Sequence, residues 1–409
     1  MVIHREEGAK PLAGVRVLTV EQYIAGPYCT MLLADAGAEI IKIEKPPYGD
    51  PRRTIGPFLE TDGGEKISGG FLGYNRSKKS VMLNLAHARG RDIFRSLAKK
   101  VDVVVDNLRP GAMERQGLGY NDLSADNRRL VYSSISGFGQ MEGYRGPYWE
   151  RPALDVVAEA MGGVMHMVGF ADKPPVSALY GMADLYAGLI NAYGIMLALF
   201  QREQTGRGQY VDTSMYDGML ALNERAITFH GLTGEVPSRG RERVLGPRGA
   251  FRARDGYVAF NIPTETMWAQ FALLIEREDL IADPRTENGP ARAAHGEFVR
   301  SIIEEWLAPR TRDEAVEQLI AAGIPAGPVQ TAEDIARCPQ VRARKMLVST
   351  QQPGIDAVNL VRSPVLMSES PEVKTAPAPA LGEHTHEVLR QLLHMGQEDL
   401  HELKELDVL

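Results

Sequence analysis

The sequence predicts an α/β protein in two parts, a parallel sheet covered by helices and a smaller α+β region. Three observations predict it. Short β-rich apolar runs alternate with helix-patterned stretches from Val15 to about residue 215. The rhythm breaks at LTGEVPSRGRERVLGPRGAF, residues 232–251, where glycine, proline and arginine crowd together. Beyond the break, an Asp-Gly turn signal between β-rich runs is followed by further helical patterns.

Taken in order, VRVLTVE is a compact apolar strand, IAGPYCTMLLADAGA has helical spacing, and EIIKIEKP is apolar again before a proline. That is one βαβ unit. The pattern repeats through KSVMLNL, the amphipathic HARGRDIFRSLAKKV, DVVVDNL and RLVYSSISGFG. Strands alternating with helices imply a parallel sheet covered on both faces, so this part reads as a Rossmann-like domain. A helix of about five turns begins near Asp184, and GQYVDTSMYDGMLAL adds another strand and helix. AFRARDGYVAFNI reads as a hairpin around Arg254, Asp255 and Gly256, and TMWAQFALLI and FVRSIIEEWLA as helices. Near the end, a Pro/Ala-rich extended piece precedes a helix in SPEVKTAPAPALGEHTHEVLRQLL. The divisions expected are a large α/β domain over 1–224, a small α+β domain over 225–330, and a linker and C-terminal part over 331–409.

Composition narrows the function. A net charge of −7 over 409 residues does not favour nucleic-acid phosphates or anionic lipid as partners. The N-terminus MVIHREEGAKP lacks a secretory pattern and no run of about 18 apolar residues is uninterrupted, so the expected location is cytoplasmic. Cys29 and Cys338 are too few for a disulfide framework or a cysteine-rich metal site. His384 and His386 in HTH lack a third obvious ligand, and no metal is expected. GFGQMEG has one residue too many for a dinucleotide loop, which argues against a nicotinamide dehydrogenase. No phosphate-binding P-loop and no G-x-S-x-G elbow occur.

Asp184 admits two readings. It is a good N-cap residue, whose oxygen would accept from free backbone N–H groups. Equally, a carboxylate kept ionised by a helix N-terminus in a poorly hydrated site can act as a nucleophile. Local sequence does not separate them.

The segments PLAGVRVLTVEQYIAGPYCTMLLADAGAEIIKIEKP, NRSKKSVMLNL, VVDNLRPGAMERQGLGY, RLVYSSISGFG, GMADLYAG, REQTGRGQYVDTSMYDG and LGEHTHEVL together resemble the family III CoA-transferases, the CaiB/BaiF group, over nearly the whole chain. The resemblance implies that Asp184, in GMADLYAG, is the nucleophile, and that the substrates are an acyl-CoA and a carboxylic acid, with no tightly bound cofactor. It also implies an interlocked-ring homodimer in which the C-terminal tail returns to the large domain. CoA would lie on that domain, with Lys45 at its nucleotide end. Asn75, Arg76, Lys78 and Lys79 in NRSKK, and Asn107, Arg109 and Met113 in DNLRPGAM, would line its site. Cations suit phosphates and amides suit pantetheine. Met165, His166 and Met167 resemble a segment bordering the acyl pocket.

Two departures qualify the resemblance. The family's racemase branch carries a His-Asp pair where this chain has Leu154 and Asp155, which disfavours an α-methylacyl-CoA racemase. Asp155 is left to orient the substrate or hold a closed form. RVLGPRGAF contains only Gly246 and Gly249, unlike the glycine-rich loop of formyl-CoA transferase. An acceptor with a second carboxylate would need a cation, for which Arg151, Arg243 and Arg248 are the candidates. A racemase-like isomerase and a noncatalytic acyl-CoA-binding protein stay as alternatives.

Overall fold

The computed structural model describes residues 10–237, 239 and 247–409. Two compact units divide the chain: one of Met1–Gly169, Lys173–Pro237 and Lys345–Leu409, the other of Phe170–Asp172 and Ser238–Arg344. These bounds differ from the divisions at 224/225 and 330/331. Only Asn223 separates helix Met215–Leu222 from helix Glu224–Thr233, so the chain stays with the first unit until Gly234 ends the second helix in a left-handed turn.

The first unit is built on six parallel strands: β1 (Arg16–Val20), β2 (Glu39–Glu44), β5 (Lys78–Met82), β6 (Val103–Asp106), β7 (Val131–Ser136) and β8 (Tyr210–Ser214), with the short hairpin β3 (Phe58–Glu60) and β4 (Lys66–Ser68) set apart. Their spatial order is β5-β2-β1-β6-β7-β8. Counting sheet strands only, that is 3-2-1-4-5-6, the doubly wound order of a Rossmann-like sheet. Successive side chains point to opposite faces. Val17, Ile40, Val103 and Val131 accordingly join one core with Cys29, Leu33, Ala187 and Ile195. Their neighbours Leu18, Ile41, Val104 and Tyr132 join the other, with Phe94, Leu97, Val388 and Leu403. Burial on both faces is why these strands read as continuous apolar runs.

The C-terminal segment covers the β5 edge. Met82 N–H donates to Thr385 Oγ1 at 3.0 Å, and Asn84 N–H to the Val408 carbonyl at 2.8 Å. His384 serves here, its Nδ1 accepting from Ser80 N–H. An otherwise open sheet edge is thereby closed. The hairpin β12 (Leu347–Gln352) and β13 (Ile355–Val361) also belongs to this unit.

Helix Met182–Thr205 packs on helix Ala25–Asp35, where Gly188 permits the approach: a Cβ there would lie 2.6 Å from the Ala25 carbonyl oxygen. Among the described residues it is the one helix long and apolar enough to cross a membrane by composition. Its inner side, including Ala183, Ala187 and Ile195, is instead part of the protein core.

The second unit carries a three-stranded antiparallel sheet, β11-β10-β9, with β9 (Arg248–Ala253), β10 (Gly256–Asn261) and β11 (Ala326–Pro328). The β9–β10 turn is at Arg254 and Asp255, the hairpin expected from the Asp-Gly signal. Phe251, Phe260, Trp268, Phe271 and Trp306 form its core, with helices Glu265–Leu274 and Gly296–Leu307 supplying the last three.

Candidate active site

Asp184 is not the N-cap of its helix. That position is Gly181, held at φ +82°, a conformation that glycine adopts without steric cost. Asp184 lies in the first turn, and the cap comes from another helix. Asp155, first residue of helix Asp155–Met161, accepts from Gly181 N–H at 2.8 Å through Oδ2 and from Ala183 N–H at 2.7 Å through Oδ1. One turn later the fully buried Glu159 accepts from Ser177 Oγ and Ala178 N–H, both at 2.8 Å. Two carboxylates at i and i+4, on one helix face, therefore hold the chain leading into Asp184.

This division of labour leaves the half-buried Asp184 carboxyl outside the capping bonds. Burial and then the nearby Asp155 charge push it up to about 7, against the opposing pull of Arg52. The helix N-terminus favours an anion, but desolvation outweighs it. A half-buried carboxyl poised near neutrality is a reactive-group candidate. The mutual geometry of Asp155 and Asp184 is thus a cap and the group it positions.

The cations of NRSKK have other partners. Lys78 is buried, its Nζ 2.7 Å from Glu21 Oε1 and 2.9 Å from the Pro27 carbonyl, and burial draws it down to about 8 despite Glu21. Asn75 Oδ1 accepts from the buried Lys42 Nζ at 2.9 Å and from Lys78. Arg76, 1% exposed, pairs with Asp35 at 2.8 Å. Lys79 bridges Glu39 and Glu387 on the surface. As a set they order β5, helix Ala25–Asp35 and the C-terminal helix, so the expected cluster of open phosphate donors is not what the structure presents.

Asn107 grips the Gln22 backbone on both sides, accepting its N–H and donating to its carbonyl at 2.8 Å each, at the ends of β6 and β1. Met113 is 1% exposed within the second core face. By contrast Lys45 and Arg109 are exposed, the first directly after the carboxyl end of β2 and the second three residues after that of β6. Open parallel sheets bind ligands at that edge, around the switch between the first and fourth strands.

Sequence reasoning missed Arg52, Glu159 and Tyr74. Arg52 is 8% exposed, donates to Tyr180 Oη at 3.4 Å, and acts electrostatically on both Asp184 and Tyr74. A signal existed: Asp50-Pro51 after β2 has the form of an N-cap followed by proline at N1. Of the earlier arginine candidates, Arg151 stacks on Tyr148 at 4.0 Å and Arg248 lies on β9 of the second unit. Arg243 and Gly246 are outside the described residues.

The profile of CoA-transferase family III matches residues 12–385. A succinyl-CoA:mesaconate CoA-transferase of Haloarcula hispanica is 40% identical over 382 residues, covering 92% of this chain and 95% of that protein. The beta subunit of a succinyl-CoA–L-malate CoA-transferase of Chloroflexus aurantiacus is 34% identical, with 96% and 97% covered. A CaiB/BaiF family crystal structure from Brucella suis superposes with a TM-score of 0.84 at 31% identity, covering 94% of this chain and 100% of that one. With the family matched over residues 12–385 and relatives at this identity and coverage, this chain belongs to CoA-transferase family III.

Proposed function

We propose that the protein moves CoA from an acyl-CoA thioester to a free dicarboxylic acid, with Asp184 as the carboxylate that carries the acyl group. The observation that carries this reading is the Asp184 carboxyl itself: in a first helical turn, outside the capping bonds, with Asp155 fixing the backbone just before it. Asp184 attacks the donor carbonyl, giving a mixed anhydride and CoA thiolate. The thiolate attacks the Asp184 acyl carbon, releasing the donor acid and leaving an aspartyl-CoA thioester. The acceptor carboxylate reverses both steps. Each step passes through an oxyanion, for which backbone N–H donors are the natural stabilisers. Gly181 and Ala183 N–H are already engaged by Asp155, so the donors are other groups.

Dicarboxylates are favoured because the relatives named above act, by their names, on succinyl-CoA with mesaconate or L-malate. CoA lies along the carboxyl ends of the sheet, with Lys45 and Arg109 as its phosphate contacts and Asn107 beside them after β6; Asn75, Arg76, Lys78 and Lys79, before and at the start of β5, and the buried Met113 act through the fold. Leu154 cannot exchange a proton, which favours transfer over racemisation.

A homodimer accompanies this reading. Leu189, Tyr193, Met196, Leu197 and Phe200 repeat at helical spacing along the outer side of the Asp184 helix and are 39–69% exposed. A helix apolar on both sides needs a partner, and a second copy of this chain supplies one. The two free thiols suit a cytoplasmic location.

The test is mass spectrometry of new CoA esters after mixing the protein with succinyl-CoA and a panel of carboxylic acids, beside Asp184→Ala. New esters from the wild type alone support the assignment. Esters from both proteins remove Asp184 from the path, and deuterium uptake at the α-carbon without new esters replaces transfer by isomerisation.

A further inference from the structure

Two consecutive arginines on one turn have different surroundings. Asp50 caps the turn Pro51–Thr54, accepting from Arg52 N–H at 2.9 Å, and its other oxygen is 2.6 Å from the buried Lys42 Nζ. The backbone carrying both arginines is therefore anchored to the floor of the sheet. Arg53 has a carboxylate, meeting Glu44 in a two-point contact at 2.9 and 2.7 Å, and it also covers the Phe71 ring at 3.7 Å. Arg52 has none among the described residues. Its buried Nε lacks a hydrogen-bond partner, and its side chain makes one long bond, to Tyr180. The guanidinium lies against Gly70, where a Cβ would come within 2.5 Å of Nη2.

A buried guanidinium with no carboxylate in hydrogen-bond contact, Asp184 acting on it only at longer range, is costly, and nearly all buried polar groups find partners. Tyr180, which touches Arg52, is four residues before Asp184. An anion arriving there belongs to the acyl end of a substrate, because the phosphates of CoA are separated from the thioester by the whole pantetheine arm. We propose that Arg52 receives the second carboxylate of a dicarboxylic substrate while its first carboxyl reacts at Asp184. A planar guanidinium meets a carboxylate at two points, which selects diacids over monoacids of the same length. The assignment rests on Asp184 as the reacting group, and it replaces Arg151, Arg243 and Arg248 in that role.

The experiment compares kcat/KM for succinate and butyrate as acceptors, with acetyl-CoA as the common donor, in the wild type, Arg52→Gln, Arg52→Lys and Gly70→Ala, with the inhibition constant of free CoA measured alongside. A ratio taken within one variant is unaffected by the fraction of protein folded. In Arg52→Gln the succinate/butyrate ratio should fall on the order of 10- to 100-fold, the range for a hydrogen bond to a charged group. Arg52→Lys should fall less, and Gly70→Ala, which displaces the guanidinium without removing its charge, should move the same way. An unchanged ratio with wild-type turnover intact overturns the Arg52 assignment alone. A weakened CoA inhibition constant with an unchanged ratio makes Arg52 a phosphate contact and also overturns it. A wild type that makes no CoA ester from any acid removes the transfer reading, and this assignment with it.

Discussion

Replacing Asp184 by asparagine should abolish transfer and at the same time stabilise the protein, increasingly so as pH rises. The folded-state carboxyl titrates near 7 against an ordinary 3.8, a difference of about 4 kcal/mol at about 1.36 kcal/mol per unit. The sign follows from proton uptake. Between those two values the folded state holds a proton that the unfolded chain has lost, so stability falls as pH rises through the window and levels off above about pH 7. At about pH 5.5 the wild type already carries about 2 kcal/mol of this cost, and at about pH 8.5 about 4. Asparagine has a similar shape and no charge, so its advantage should grow by about 2 kcal/mol between those two conditions. Urea unfolding of both proteins at equal concentration measures it, provided the slopes with denaturant agree. An advantage that does not change with pH would refute the argument, since it would mean that Asp184 is not held away from its ionised form by its surroundings.

Asp155→Asn removes the neighbouring charge and one of two capping acceptors; the acid limb of kcat/KM should move below pH ~7 while stability drops about 1 kcal/mol, and an acid limb that stays in place would disconnect the two carboxyls. Glu159→Ala should lower kcat through the loosened 177–178 segment without shifting that limb, as read from the same pH profile. Lys78→Met breaks the buried pair with Glu21 and should cost about 3–5 kcal/mol in urea unfolding, whereas Lys79→Met, on the surface, should cost about 1 or less; equal effects on stability would contradict the buried network. Tyr193→Glu with Phe200→Glu should convert a dimer to monomers in sedimentation, and an unchanged sedimentation coefficient would remove the helix face from the interface.

Much of the fold was legible because burial on both faces leaves a local trace. VVVD at β6 and EIIKIE at β2 are apolar runs that a half-exposed strand would not show. The hairpins β3–β4 and β12–β13 left no such trace, since their strands are short or alternate with exposed residues. The site was harder to read. Asp184 resembled an N-cap because acids at helix starts usually are, and the true capping carboxylate lies 26 residues before Gly181 in the chain. Glu159 gave no signal, as one glutamate in a short apolar helix looks like any other.

Charge posed the sharper problem. Lys78 and Arg52 are both basic residues close to an apolar strand, and the family resemblance implied the first as a ligand contact and passed over the second. What separates them is the anion each one meets. Lys78 has Glu21 at 2.7 Å within a network that also contains Lys42, Thr19 and Thr30, so its charge is compensated inside the chain. Arg52 has a tyrosine hydroxyl and an orphaned Nε. A cation compensated within the chain holds the fold together, whereas one buried without a carboxylate is left for what binds. That distinction depends on partners brought together from Glu21, Asp50 and Tyr180, which no local window contains.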